Sequence, residues 1–429
     1  MTDGSSTSIG VGAAGDPTPA FGLRRITLLV GAGAFLDGFD LLIVNAALLS
    51  IIPAFGLTSG QVGLLTSLPF LGMVIGALVA GRLCDRFGRR RIYMIDIIAF
   101  VVLAVLLAVA QEYWQLLALR LLLGVAIGMD MPTGTSMLAE FAPPGRIGRL
   151  SAAMQTIWVA GGLVASVVGW TLFQLAGGTS WRWMFAAAAV PAIVIAIARH
   201  SLPESPRFAR PRTAARPVRP GARGFREILQ NRGFRRAVAF FTVYWTIESF
   251  LGGPPFVYTS VIFSQVVRLS PSRALLLSAC LAAVYLAANL VGQLWALDRV
   301  GRKPLALGIC AFAAVTAFAT ARLEGAGLAL VIAFGLFAVA TQVAPLPFWP
   351  WSVEQLPTRI RATGQSVGSA GGKLGQFIGL NIFTAGTIAG FGWAPYFVFV
   401  AVGFAVLAGI VAAFGRETKH ADLDALDRV

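Results

Sequence analysis

Apolar runs of about twenty residues, broken by short polar or charged turns, recur along this chain from residue 26 to residue 415. "MVIGALVAG" and "IIAFVVLAVLLAVA" are representative, and neither alternates with a period of two. A helix needs about 20 apolar residues to cross the hydrocarbon of a bilayer, whereas barrel strands would give alternating segments of about 10 residues. The pattern predicts twelve membrane-spanning helices. Six fall over 26–52, 61–82, 92–111, 113–139, 151–176 and 181–200, and six over 237–264, 273–296, 303–322, 326–353, 364–388 and 393–415. The expected fold class is an all-α polytopic membrane protein.

The polar breaks repeat. Asp85-Arg86-Phe87-Gly88-Arg89-Arg90 follows the second span, and Asp298-Arg299-Val300-Gly301-Arg302-Lys303 follows the eighth. A second echo pairs "PPGRIGRLSA" after the fourth span with "LPTRIRATGQS" after the tenth. Members of each pair stand six spans apart. The chain therefore reads as two pseudo-symmetric six-helix halves in parallel arrangement, the layout of a rocking transporter. The expected organisation is a disordered tail over 1–25, a first half over 26–200, a basic linker over 201–236, a second half over 237–415 and a tail over 416–429. The linker's end, "GFREILQNRGFRR", reads either as a short amphipathic helix on the inner leaflet, where basic residues meet anionic headgroups, or as a solvated charged segment.

Composition agrees with the pattern: 57% of the 429 residues are apolar and 12% are charged, about half the charged fraction of a soluble protein. The net charge of +15 would suit a nucleic-acid binder, but its distribution does not. Of the 34 Lys and Arg, 28 fall in the two tails and the even-numbered connections. The odd-numbered connections hold only Arg182, Arg268, Arg273 and Arg322, and Arg120 and Lys373 lie within spans. That asymmetry follows the positive-inside rule and places both termini in the cytoplasm. Cys84, Cys280 and Cys310 are far apart, and His200 and His420 lie at a helix end and in the tail, so neither a disulfide framework nor a metal site is expected. The opening "MTDGSSTSIGVGAAGDPTPA" lacks a basic segment followed by an apolar one, and is not a cleaved signal.

At these loops the sequence resembles the major facilitator superfamily, over essentially the whole chain after residue 25. Gly81-x-Leu83-x-Asp85-Arg86-x-Gly88-Arg89-Arg90 matches its signature loop at every defining position. Arg120-x-x-x-Gly124, "PESPR" (203–207) and Glu354-x-x-Pro357-x-x-x-Arg361 are similar to the sugar-porter and metabolite–proton-symporter branch. "DGFD" (37–40), "GMDMP" (128–132), "MQTIW" (154–158) and "GGKLG" (371–375) resemble phosphate and organic-acid proton symporters. In the phosphate branch the matching aspartates serve proton transfer, the glutamine contacts substrate and the lysine serves substrate or coupling. Met131 stands where that branch has tyrosine, Glu248 where it has aspartate, and "TQVAPLPFWPW" lacks its asparagine. These departures point away from phosphate itself.

The residues support such chemistry independently. Asp37 and Asp40 lie three apart, on one helix face, at a depth where a charge is costly. They either exchange a proton or hydrogen-bond a neighbouring helix. Asp130 sits mid-span before Pro132, which loosens the helix, and is a third proton-coupling candidate. Arg120 lies ten residues earlier, open to a substrate, coupling or purely structural role. Gln155, Trp158, Trp245 and Glu248 offer an amide, two aromatic faces and an acid. Tryptophans often anchor at interfaces, but Trp245 lies two turns deep. Lys373, with Gln376 on its face, needs a carboxylate partner such as Glu248 or an aspartate, or an anionic ligand.

The loop residues Gly81, Asp85, Arg86, Gly88, Arg89 and Arg90, with Asp298, Arg299, Gly301 and Arg302, read as gating elements as well as topology signals. Asp85 can accept hydrogen bonds from a helix N-terminus of the other half, where the macrodipole favours an anion. The expected function is proton-coupled uptake of a small polar metabolite, an organic anion, by a monomer in the bacterial inner membrane. Export by antiport and sugar:proton symport are the alternatives. No nucleotide loop, nucleophile–base constellation or cofactor motif is present, so no enzyme, no cofactor and no nucleic-acid partner is expected. The partners are substrate, protons and the lipid bilayer.

Overall fold

The computed structural model describes residues 23–141, 147–201, 220–388 and 392–419, so the expected tails and most of the linker lie outside it. Within these residues the chain is helical. The first six spans are Leu23–Phe55, Ser59–Phe87, Arg89–Val109, Tyr113–Phe141, Ile147–Ala176 and Ser180–His200. The seventh is Arg232–Val257, prolonged by Thr259–Gln265, and the eighth is Pro271–Val291, continued through a π turn to Leu297–Val300. Arg302–Arg322 is the ninth, Leu328–Val343 with Phe348–Glu354 the tenth, Thr358–Phe383 the eleventh and Trp393–Phe414 the twelfth. A thirteenth, shorter helix, Pro220–Gln230, precedes the seventh. Most spans outrun the apolar runs that predict them, because their polar ends continue the helix into the headgroup layer.

Local chemistry fixes the ends. Thr58 and Gln61 form a reciprocal capping box at the start of the second span. Asn231 caps the seventh, its Oδ1 accepting from the N–H groups of Gly233 (2.8 Å) and Phe234 (3.3 Å). The twin loops reverse the chain in the same way. Gly88 stands at φ 90°, ψ 151° and Gly301 at φ 97°, ψ 167°, a region open essentially to glycine alone. The sequence repeat is thus a repeat of backbone geometry.

In the first half the second span packs on the fourth, the first on the fifth and the third on the sixth; in the second half the seventh packs on the eleventh and the ninth on the twelfth. The halves meet where the fifth span faces the eighth and the eleventh faces the second. Small residues permit this closeness. A side chain on Gly124 would strike the Pro69 carbonyl, and one on Gly76 the Val125 carbonyl. Among the described residues, nine stretches are apolar and long enough to cross a membrane, the fifth and sixth spans counting together. The seventh and eleventh spans fall short, since they carry Glu248 and Lys373 and turn polar faces inward.

Both ends of the helical array lie on one face, here the terminal face. At the opposite, far face the halves are joined by hydrogen bonds. Ser260 donates its N–H to Asn45 Oδ1 (2.9 Å) and its hydroxyl to the Asn45 carbonyl (2.5 Å). Asn381 donates to Ser67 Oγ at 2.8 Å, Thr66 meets the Tyr258 hydroxyl, and Gln174 donates to Ser272. These bonds close the far side between the halves.

On the terminal face Glu417 accepts hydrogen bonds from the N–H groups of Arg302 (3.1 Å) and Lys303 (3.0 Å), capping the ninth span. Burial disfavours its charge, but the N–H groups of Arg302, Lys419, Lys303 and Thr418 outweigh this and hold the carboxyl below its ordinary 4.5.

Two outcomes are expected. Gly124→Leu costs at least about 1–3 kcal/mol through overpacking, visible as a lower melting temperature in detergent, whereas Gly409→Leu, with open space around it, does not. Glu417→Gln weakens the cap by about 0.5–2 kcal/mol at pH 7. A carboxyl with a lowered folded pKa stabilises above its unfolded value of about 4.5 and ceases to as pH falls through the folded value. The two proteins should therefore converge in melting temperature as pH falls from about 4.5 through the folded value of Glu417.

Candidate functional site

The buried charges of the first half form two groups. In the first, Arg120 of the fourth span meets Asp40 of the first, Nη1 to Oδ2 at 2.9 Å, with both side chains fully buried. The guanidinium lies 5.9 Å from the centre of the Phe185 ring. Asp40 Oδ1 and Arg120 Nε and Nη2 have no protein partner among the described residues. The pair neutralises itself and ties the first span to the fourth.

The second group centres on Arg199, at the end of the sixth span. Its Nη1 lies 2.5 Å from Asp130 Oδ1 and 3.2 Å from Asp96 Oδ1 of the third span. It also donates to the Tyr93 carbonyl at 3.3 Å, and its guanidinium stacks 3.5 Å from the centre of the Tyr93 ring. Gly33 of the first span makes room: a side chain there would collide with Arg199 Nη2 and Asp130 Oδ2. One turn on, Asp37 is buried with Oδ2 unpartnered, and the charges acting on it are Asp130, Arg199, Lys373 and Asp96. Three carboxylates thus share one guanidinium.

The second half supplies the complement. Lys373 makes no hydrogen bond or ion pair among the described residues. Its Nζ lies 5.6 Å from the centre of the Phe70 ring of the second span, with Asp37 and Glu248 as the acids that act on it. Glu248 is buried on the seventh span, accepting from the Ser249 hydroxyl at 3.4 Å. Gln376 lies against Gly253, where an added side chain would meet its amide. Trp245 is held in an aromatic nest with Phe348 and, at 5.2 Å between ring centres, Trp349. Its depth is as expected, but its ring is packed, with one edge on Gly372.

Across the interface Trp158 lies 5.9 Å from Phe256, ring centre to ring centre, and Gln155 is half-buried one turn before it. Beyond them is a cavity of about 10 Å³ lined by Asn45, Ser166, Phe256, Thr259, Ser278 and Tyr285 among others. That is room for a single water at most, in keeping with the sealed far side.

The expected gating residues split. The side chains of Gly81, Asp85 and Asp298 lie outside the described residues. Arg86 is exposed, 5.2 Å from the Phe87 ring centre, and Arg299 is exposed over Trp295. Arg89 is half-buried. Arg90 donates to the His200 carbonyl at 2.8 Å. Arg302 grips Glu354 through Nη2 (2.7 Å) and Nε (3.2 Å). These contacts stay within each half, and Gly88 and Gly301 serve the turns.

The site thus brings Asp37, Asp130, Lys373 and Glu248 into one electrostatic neighbourhood and sets Asp40 with Arg120 apart. Sequence reasoning missed Asp96, Arg199 and Tyr93. Asp96 is the lone carboxylate of its span in "RIYMIDII", a signal that was readable. Arg199, beside "LPESPR", sits at the end of the predicted sixth span, where it reads as a positive-inside cation until the structure shows it buried and turned inward.

Comparison with known proteins agrees with this architecture. The sequence profile of the Major Facilitator Superfamily matches residues 30–379. A putative metabolite transport protein of Escherichia coli, YaaU, is 30% identical over 83% of each chain. The niacin transporter NiaP of Acinetobacter baylyi is 24% identical, covering 94% of this chain and 97% of that one. Among solved structures, a D-xylose-proton symporter superposes with a TM-score of 0.80 over 93% of this chain and 99% of that one at 18% identity, a likeness of fold. Duplicated six-helix halves, glycine-turned twin loops, buried charge in both halves and a profile match spanning most of the chain converge: this multi-pass membrane protein belongs to the Major Facilitator Superfamily.

Proposed function

We propose that this protein is a proton-coupled symporter that brings a small organic anion across the bacterial inner membrane by alternating access, as a monomer with both termini cytoplasmic. The observation that carries the reading is Lys373, a half-buried cation within a membrane span that has no ion-pair partner among the described residues, with Asp37 and Glu248 as the acids that act on it. A buried ammonium is unfavourable unless a negative group balances it. A substrate carboxylate arriving at Lys373 takes over that balance and leaves an internal carboxylate to receive a proton. Arg199 holds Asp130 and Asp96 in place, so the group whose partner changes is Asp37. The Asp40–Arg120 pair sits beside this exchange as a second proton-coupling candidate. Gln155, Trp158 and Gln376 supply polar and aromatic contacts for the rest of the substrate, with Trp245 as the wall behind Lys373.

The direction of uptake draws on the sealed far face and the basic terminal face. When the far-face hydrogen bonds break, the twin loops re-engage through Asp85 and Asp298, and the arginines that now bind within each half hold the cytoplasmic side closed. A relative named for niacin, itself a carboxylate, fits the anion reading. Sugar:proton symport is the second reading. It is favoured by the neutral hydroxyl and amide lining of the small cavity and by a relative of Levilactobacillus brevis named a D-xylose transporter, 36% identical over 41% of this chain.

Asp37→Asn in reconstituted vesicles should lose accumulation driven by an imposed pH gradient while keeping counterflow; full gradient-driven uptake would remove Asp37 from coupling. Lys373→Gln should lower counterflow of the anionic substrate by roughly 30-fold or more, the effect of deleting one partner of a buried charge pair. A panel of monocarboxylates and monosaccharides checks it. Unchanged uptake in the Gln variant would mean a neutral substrate and support the sugar reading.

A further inference from the structure

The short helix Pro220–Gln230 and the start of the seventh span form a corner on the terminal face. The helix docks by one side. Ile228 is buried, and Gly224 is buried where a side chain would meet Thr363 of the eleventh span. Its other side carries Phe225 and Leu229, 48% and 49% exposed, with Arg226 between them. Asn231 turns the chain directly into the seventh span, and Arg235 closes the corner by donating Nη1 to the Leu229 carbonyl at 3.3 Å.

The seventh span shows which way this corner faces. Among its exposed residues, Arg232, Arg236, Ala239 and Val243 recur at helical spacing and form one stripe. In a membrane-spanning helix the exposed apolar part of such a stripe, Ala239 and Val243, meets acyl chains. Arg232 and Arg236 continue the same stripe to the helix start, so they stand on the lipid-facing side at headgroup level. Among the described residues Arg226, Arg232 and Arg236 make no hydrogen bond or ion pair. Glu227, next to Arg226 in the chain, is half-buried and already engaged with the protein. Three uncompensated guanidinium groups therefore border two exposed apolar side chains at the edge of the bilayer.

We infer that this corner is a binding site for an anionic phospholipid headgroup of the leaflet on the terminal side. Arg226, Arg232 and Arg236 take the phosphate oxygens, for which planar guanidinium donors are suited. Phe225 and Leu229 enter the boundary between headgroups and acyl chains, as the apolar face of an interfacial helix does. A soluble acidic partner fits less well, since the cations continue a stripe whose remainder faces lipid. Because the helix rests on the eleventh span through Gly224, the bound lipid also braces the terminal end of the span that carries Lys373.

The test uses the full-length protein. In detergent, graded phosphatidylglycerol should raise the melting temperature saturably, phosphatidylcholine should not, and millimolar inorganic phosphate should leave it unchanged. Replacing Arg226, Arg232 and Arg236 together by Gln should weaken the phosphatidylglycerol effect at least tenfold, since each basic residue near such a surface adds about 1 kcal/mol, while replacement by Lys should retain most of it. An undiminished effect in the Gln variant would overturn the site; an equal response to free phosphate would make it a soluble-anion site instead. Should the Gln variant fail to insert, a fluorophore on a cysteine introduced at Leu229, with exposed Cys280 replaced by Ser, gives an independent reading. Brominated phosphatidylglycerol should quench it at least twofold more than brominated phosphatidylcholine, and equal quenching would refute the proposal.

Discussion

A cation without water has to be matched by protein charge, and in the first half that demand falls on Arg199. Its guanidinium draws a carboxylate from the third span and another from the fourth to within 2.5–3.2 Å. It fits only because Gly33 of the first span leaves the space. Four helices meet at one side chain. The Asp40–Arg120 pair repeats the logic between the first and fourth spans. Removing one member of such a buried pair leaves an uncompensated charge, at a cost of roughly 3–5 kcal/mol. The first half is therefore a body locked by charge. The second half has no ion pair of this kind in its membrane interior among the described residues. It holds Lys373 and Glu248 apart and packs its seventh span in aromatic rings. Asp37 of the first half, with Lys373 and Glu248 of the second, is left without an ion-pair partner among the described residues.

The contacts between the halves are of a different character. The hydrogen bonds among them are neutral, such as Asn45 with Ser260 and Ser67 with Asn381. Each contributes a net of only about 0.5–1.5 kcal/mol. A seal made of several such bonds can be exchanged for a comparable set of loop contacts at the other face with little net change in free energy. Bodies rigid inside and weakly joined outside rock rather than deform. Glycines against backbone carbonyls, as at Gly124 and Gly76, serve the first property, and small hydroxyl and amide side chains serve the second.

Much of this was legible in the sequence. The apolar runs place the spans, and the twin loops disclose the duplication down to the glycine at each turn. The seventh and eleventh spans were placed as apolar runs like the rest, although Glu248 and Lys373 interrupt them. The site was legible in part. Asp37, Asp130 and Lys373 stand out as charges in apolar runs. Arg199 does not, because a cation at a span's end looks like the positive-inside signal and only the inward turn of the sixth helix separates the two. Asp40 and Asp37 lie on one face in sequence, yet they serve different cations. Pairing depends on which neighbouring helix faces each, and spacing along a single helix carries no such information.

The charge count of the site bears on the direction of coupling. Setting aside the self-neutral Asp40–Arg120 pair, Asp37, Asp96, Asp130 and Glu248 face Arg199 and Lys373. With all groups ionised this interior is two negative charges in excess, and uncompensated buried charge costs on the order of several kcal/mol per ion. An entering organic anion would deepen the excess. It can settle against Lys373 only if a proton neutralises the carboxylate it displaces, so anion and proton favour each other's presence. That mutual dependence is a linkage, and linkage is reciprocal: the ligand that tightens proton binding is itself bound more tightly by the protonated carrier. Two ligands that bind together and leave together are carried in the same direction. A lysine in the membrane interior opposed by more carboxylates than it can satisfy thus favours symport over antiport for an anionic substrate. For a neutral sugar the same charges impose no such coupling, and the proton would have to be linked through the Asp40–Arg120 pair instead.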